Sequence, residues 1–248
     1  MARRGRLGFW YRLAIAILKP PTVVFTRREQ AGAELVPDGG VILAANHISY
    51  TDPIVLCNFI LSDLQRAPRF LAKSEMFLGN GLVGRVMRGA DQIPVDRHAA
   101  DASKTLDVAV AALQRGETVV IYPEGTVSRD PAKWPMLART GVARLALLSG
   151  APVVPVAQWG AQEVHDTYRG KGLHLLPRHT MRFRVGPPVD LSAWRGRELG
   201  AQVLREATGA VMAAITAELE VLRGESAPEQ VHDPRGARLA NDEPRETA

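Results

Sequence analysis

Three short stretches of this chain place residues that can move a proton or hold an anion directly after an apolar run. The first follows Val41–Ala45 and reads Asn46-His47-Ile48-Ser49-Tyr50-Thr51-Asp52-Pro53. Histidine titrates closest to neutral pH of all side chains, which suits it to act as a general base. Five steps along a regular helix turn the chain by roughly 140°, so His47 and Asp52 cannot share a helix face. They meet only if His47 lies in a loop and Asp52 in the first turn of the helix that follows. A carboxylate on one ring nitrogen would then fix the tautomer and leave the other nitrogen free to accept a proton from a hydroxyl. That arrangement is two-thirds of a Ser-His-Asp triad, with the substrate's own hydroxyl in place of serine. The octet alone fits a helix-capping aspartate beside a partly exposed histidine equally well.

The second stretch is Gln92-Ile93-Pro94-Val95-Asp96-Arg97. An arginine leaving a buried strand can grip a phosphate through two parallel hydrogen bonds; a surface ion pair is the plainer alternative. The third is Val119-Val120-Ile121-Tyr122-Pro123-Glu124-Gly125-Thr126. It offers a charge, then a glycine whose backbone can approach a ligand closely, although a turn alone also accounts for it.

The elements that must hold these residues are legible as a pattern. Val41–Ala45, Phe70–Ala72, Gln92–Val95, Thr118–Tyr122 and Val153–Ala157 read as short buried strands. A helix capped by Asp101 and stopped at Gly116 lies between the third and fourth, and another, from about Met136 to Leu148, between the fourth and fifth. A later strand, His174–Val185, precedes a long helix from about Leu199 to Leu222. This alternation predicts an α/β fold with a largely parallel central sheet flanked by helices, and function in such sheets gathers at the carboxyl ends of strands.

The chain has 248 residues, 46% of them hydrophobic and 23% charged, which suits one globular domain. Its single cysteine, Cys57, excludes an internal disulfide framework and lies in an apolar stretch that predicts a buried thiol. Formal charge is +5, but residues 224–248 contain six acids and three bases, so the other 223 residues carry +8. A basic body implies an anionic partner. Nucleic acid lacks support, since no recognition motif or interleaving of bases with aromatics occurs. The amino terminus favours lipid: Arg3, Arg4 and Arg6 precede Phe9, Trp10 and Tyr11 and an aliphatic run. That run is far shorter than the roughly 20 residues needed to span a bilayer. Arg12 and Lys19 interrupt it, and Pro20–Pro21 stands where a signal-peptide cleavage site would be. Residues 1–28 therefore read as an interfacial helical segment, residues 29–223 as the catalytic domain, and residues 224–248 as a disordered tail.

Together and in this order, the polar stretches resemble the 1-acylglycerol-3-phosphate acyltransferase family, the lysophosphatidic acid acyltransferases. The family's H-x4-D box matches His47 to Asp52, and its apolar-pair-x-Arg box matches Pro94-Val95-Asp96-Arg97. Its Pro-Glu-Gly-Thr box matches Pro123 to Thr126, and its apolar-Pro-apolar box matches Val153-Val154-Pro155-Val156. Lys73-Ser74-Glu75 is similar to the family's Lys-x-Glu segment, and the likeness extends from Ala31 to Asp190. Two departures stand out. Asp91 occupies a position where the family often has glycine, and Val127-Ser128 separates Glu-Gly-Thr from Arg129, where the family often has arginine at once.

The resemblance implies a glycerolipid-acyltransferase fold and an acyl chain donated by acyl-CoA or acyl carrier protein. The acceptor would be the free hydroxyl of 1-acylglycerol 3-phosphate, and the product phosphatidic acid. It implies His47 and Asp52 as the catalytic pair, Arg97, Glu124, Gly125, Thr126 and Lys73 as substrate-binding residues, and no metal or prosthetic group. It also implies a peripheral or monotopic place on the cytoplasmic face of the cell membrane. The same chemistry on glycerol 3-phosphate or another lysolipid remains an alternative. So does a non-enzymatic anionic-lipid-binding protein, which would leave the His–Asp box unexplained. A serine esterase is disfavoured by the absence of a G-x-S-x-G elbow.

Overall fold

The computed structural model describes residues 8–79, 81–95, 102–168, 170 and 172–234. The chain opens with helix α1 (Phe9–Phe25) and runs through β1 (Thr26–Ala31), β2 (Val41–Ala45), α2 (Asp52–Ser62), β3 (Pro68–Lys73), α3 (Leu82–Gly89) and β4 (Ile93–Val95). It continues with α4 (Ala102–Gln114), β5 (Thr118–Ile121), α5 (Gly141–Ser149), β6 (Val153–Trp159), α6 (Ala161–Val164), β7 (His179–Val185) and α7 (Ala201–Arg223).

The strands form one sheet in the order β1-β7-β6-β2-β5-β3-β4, parallel throughout except for the antiparallel β6–β7 pair. Side chains alternate between the faces of a strand, and β2 is buried on both. Ile42 and Ala44 face a core shared with α4, α5 and α7, while Val41, Leu43 and Ala45 face a core shared with α2. Covering both faces is the condition under which parallel strands read as unbroken apolar runs, which is why β2, β5 and β6 were visible in the sequence. The register places Ala44 beside Ile121 and Ala45 beside Val156. The loops leaving β2, β5 and β6 therefore emerge at one level.

Four expectations change. Strand β1, Thr-Arg-Arg-Glu-Gln-Ala, is a polar edge strand on β7 with five of its six residues exposed, so it has no apolar signature. The boundary expected at residue 28 falls inside it. Helix α5 starts at Gly141, because the Met136 and Arg139 amides bond instead to Glu124 and to the Pro123 carbonyl. Strand β7 starts only at His179, since the His174 amide is taken by the Val164 carbonyl at the end of α6. The tail is not disordered from Gly224. Residues 224–234 turn back over the domain, where the Ala227 amide bonds to Glu220 and the Leu137 amide to the His232 carbonyl. Residues 235–248 lie outside the described residues.

Helix α1 is docked by one face. The Tyr11 hydroxyl donates to the Pro68 carbonyl at 2.5 Å, and Asn58 Nδ2 donates to Thr22 Oγ1 at 3.0 Å. Trp10 lies so close to Gly89 of α3 that a Cβ there would sit 2.0 Å from its ring. Phe9, Ile17, Val23 and Val24 on α1 remain exposed, as do Leu78, Leu82 and Val83 at α3. Among the described residues no helix is long and apolar enough to cross a membrane.

Candidate active site

The loop after β2 carries His47, and α2 begins at Asp52 with Pro53 in its first turn. Proline pre-sets helical φ at that position. Starting the helix there brings the pair together: His47 Nδ1 lies 2.8 Å from Asp52 Oδ2. The same oxygen accepts the Ile48 amide at 2.6 Å and the Ser49 amide at 2.8 Å. Asp52 thus ties down the loop before its helix, and it is fully buried. An oxygen already accepting two N–H groups takes Nδ1 as its third donor, so the ring proton sits on Nδ1 and Nε2 presents a lone pair. The imidazole stacks on Tyr122 with centroids 4.2 Å apart and 19° between planes. Burial raises the Tyr122 phenol well above its ordinary range, with the Asp52 charge adding to the rise, so the stacking partner stays neutral.

The turn after β5 grips the backbone of His47 from both sides. Glu124 Oε1 accepts the His47 amide at 2.8 Å, and the Ser128 amide donates to the His47 carbonyl at 2.7 Å. Glu124 Oε2 accepts the Met136 amide at 3.1 Å, and the side chain is buried. Burial pushes its carboxyl from 4.5 up to about 8; the two amide bonds oppose that rise, while the Asp52 and Asp130 charges assist it. Gly125 adopts φ +72°, a left-handed conformation that favours glycine.

A third lock joins β2 to β6. Asn46 Nδ2 donates to the Gln158 carbonyl at 3.1 Å, and the Gln158 amide donates to Asn46 Oδ1 at 2.8 Å. Gln158 Nε2 donates to the Asn46 carbonyl at 2.7 Å, and both residues are buried. Sequence reading missed Gln158. Its signal was a lone amide in the apolar run Val153–Trp159, where a polar group is expensive unless bonded.

Of the residues expected at the site, His47, Asp52, Glu124, Gly125 and Thr126 converge at the carboxyl ends of β2 and β5. Lys73, at the end of β3, is exposed and lines the same cleft as Glu124 and Thr126. Arg97 and its neighbour Asp96 lie outside the described residues. A second, more apolar groove of about 640 Å³ runs between α1 and α2, from Ile54 past Cys57 and Leu61, against Tyr11, Ala14, Ile15 and Leu18. Burial pushes the Cys57 thiol up to about 12, so it lines the groove as an inert group.

The fold is shared with the crystal structure of the 1-acyl-sn-glycerophosphate (LPA) acyltransferase PlsC from Thermotoga maritima. The TM-score is 0.62 at 22% identity, over 88% of this chain and 81% of that one. No curated protein sequence matches the chain. The family model described as Acyltransferase matches residues 27–159, a span from β1 to β6 that contains the His47–Asp52 pair and the turn that holds it. With more than half of the chain matched, this protein belongs to the Acyltransferase family.

Proposed function

We propose that this enzyme esterifies the free hydroxyl of a lysophospholipid carrying a phosphate, 1-acylglycerol 3-phosphate being the acceptor that fits best, at a membrane surface. The observation that carries the reading is the His47–Asp52 contact at 2.8 Å with Nε2 left free. The acceptor hydroxyl loses its proton to Nε2 as its oxygen attacks the carbonyl carbon of an acyl thioester. The tetrahedral intermediate then expels the thiolate, which takes the proton back from the imidazolium, leaving an ester and a free thiol. Asp52 holds the ring and opposes the charge it gains. The amides of His47, Ile48 and Ser49 are already spent on Glu124 and Asp52. Oxyanion stabilisation therefore falls to a donor such as the Thr126 amide after β5; losing one such donor typically costs about 100- to 1000-fold in rate.

Within this reading Glu124 and Gly125 position His47 rather than touch substrate, and Lys73, Thr126 and Arg97 remain assigned to the acceptor phosphate. The α1–α2 groove begins two residues beyond Asp52, and α2 has 11 residues, a length of about 16 Å, which suits an extended acyl chain. The exposed apolar side chains of α1 and α3 would meet lipid at headgroup depth, with thioester donors reaching the site from the cytoplasm.

The test offers purified protein acyl-CoA or acyl carrier protein with a panel of lysolipids and glycerol 3-phosphate, and identifies products by mass spectrometry. Formation of phosphatidic acid supports the assignment. Ester formed only on a phosphate-free acceptor would reject it, and thiol release without any ester would mark a thioesterase.

A further inference from the structure

The last residue of α7, Arg223, holds its charge almost out of water, with its side chain 9% exposed. The guanidinium lies over the Trp134 ring, 4.0 Å from its centroid, and over the Trp159 ring at 4.2 Å. Nη1 donates to the Ala132 carbonyl at 2.8 Å, and Nη2 to Glu225 at 2.6 Å. A buried charge is costly unless it is paired and bonded. A planar guanidinium suits such a place, because it stacks on aromatic faces while its edge donates.

The elements it touches are those that frame His47. Trp159 ends β6 and directly follows Gln158, whose bonds with Asn46 tie β6 to the His47 loop. Trp134 belongs to the turn after β5. Its carbonyl accepts the Ser128 hydroxyl at 2.7 Å, and the Ser128 amide donates to the His47 carbonyl. The Met136 amide holds Glu124, which holds the His47 amide. The stretch from Ser128 to Met136 therefore reaches both backbone groups of His47.

That stretch is strained. Lys133, between Ala132 and Trp134, adopts φ +63°, a left-handed conformation that persists only where the surroundings over-determine it. From within, Asp130 Oδ1 accepts the Ala132 and Trp134 amides, and Lys133 Nζ pairs with Asp166 at 3.0 Å. From outside, Arg223 grips the residue on each side of Lys133, one by a hydrogen bond and the other by stacking. Beyond it, Gly224 ends α7 at φ +68°, and the His232 carbonyl accepts the Leu137 amide at the other end of the same stretch.

We infer that Arg223 is a positioning residue for catalysis, acting through Trp134 and Ser128 to fix the backbone of His47. It lines neither the cleft nor the α1–α2 groove, so its loss should act on turnover and not on substrate binding. The inference rests on the proposed acyl transfer for what is being positioned.

Arg223→Met keeps an apolar stem and removes the charge and the donors. It is expected to lower kcat on the order of tenfold, as for a small misplacement of the base, with KM for donor and acceptor within a few-fold. Arg223→Lys should recover part of the loss by keeping a cation beside the rings, and it carries the same comparisons should Arg223→Met not fold. Ser128→Ala cuts the link between Trp134 and His47, so adding Arg223→Met to it should lower kcat by much less. Val211→Ala, a cavity elsewhere on α7, should lower the melting temperature and leave kcat of the folded enzyme unchanged. Hydrogen exchange needs no turnover: in Arg223→Met the Ser128 and Met136 amides should exchange about tenfold faster or more, while those of α2 keep their rate. Wild-type kcat in Arg223→Met, equal losses on the wild-type and Ser128→Ala backgrounds, or a matching loss in Val211→Ala overturns the inference. Faster exchange at Ser128 and Met136 in a protein that transfers no acyl group would instead reject the proposed function alone.

Discussion

The strand-end site and the α1–α3 layer are held by opposite means. At the site, His47 has its amide, its carbonyl and one ring nitrogen each bonded within 2.8 Å, and Asn46 beside it makes three further bonds to Gln158. The partners are buried, so each bond operates in a low-dielectric setting where losing one member strands the other. The α1–α3 layer is attached by a few contacts, the Tyr11 hydroxyl on Pro68 and Asn58 on Thr22 among them, and it turns apolar side chains outward. One region has spent its polar groups on rigidity; the other leaves apolar surface uncovered. General-base catalysis needs the first, because proton transfer is sensitive to sub-ångström placement. A lipid surface rewards the second, since apolar area left in water is what a bilayer can bury.

The largest effect should come from the proposed catalytic pair. His47→Ala is expected to lower kcat by about 100- to 10,000-fold, with Asp52→Asn nearly as damaging because the tautomer is no longer fixed. His47→Ala should remain folded, with its melting temperature lowered by loss of the Asp52 partner, and turnover near wild type in that variant would defeat the mechanism.

Removing the support beneath the pair should come next. Glu124→Ala strands the buried His47 and Met136 amides, at about 1–3 kcal/mol each, and should lower both melting temperature and kcat. The carboxyl also links stability to pH. Folded, it holds its proton to about pH 8, whereas its ordinary pKa is 4.5. Between those values the folded state carries the extra proton, so stability falls as pH rises through that window. Denaturant titrations at several pH values should show this decline in wild type and a flatter profile in Glu124→Gln. An equal slope in both would remove Glu124 as its source.

A weaker effect is expected where α1 meets α3. Gly89→Ala drives a methyl into the Trp10 ring, and overpacking of this kind costs about 1–3 kcal/mol. Calorimetry should show reduced stability, or loss of Trp10 protection in fluorescence quenching as α1 lifts away. The smallest effect on the folded protein should come from Leu82→Glu with Val83→Glu. Both side chains are exposed, so melting and activity on a short-chain soluble acceptor should hold while sedimentation with anionic vesicles drops. Unchanged vesicle binding would place the lipid contact elsewhere. Deleting residues 2–25 would be a harsher test, because it also uncovers the faces of α2 and α3 that α1 packs against.

Much of this arrangement was readable from the chain because burial on two faces writes itself as composition. Val41–Ala45 was delimited to the residue, and β3, β4, β5 and β6 to within a few. Strand β1 was not, since pairing along a sheet edge requires backbone groups alone and Arg27, Arg28 and Glu29 keep their side chains in water. The His47–Asp52 meeting was foreseeable from a loop followed by proline at a helix start. Glu124 was expected as a substrate contact, and its support of the His47 loop was not foreseen. Its partners are two backbone amides, 77 and 12 residues away, and amides carry no residue-type signature.

Sequence by itself determined the alternation of strands and helices, the residues with the chemistry for proton transfer, and an amphipathic start, because apolar periodicity and side-chain type are local properties. Tertiary structure alone decided which groups those residues serve. Parallel register aligned β2, β5 and β6 at one level, and only that alignment turned Glu124, Ser128 and Gln158 into the frame of His47. It also gathered Lys73, Arg129, Arg139, Arg144 and Arg205, spread over 133 positions of the chain, into one cleft. Charges so far apart in sequence come to face one cleft only when the fold brings their elements together.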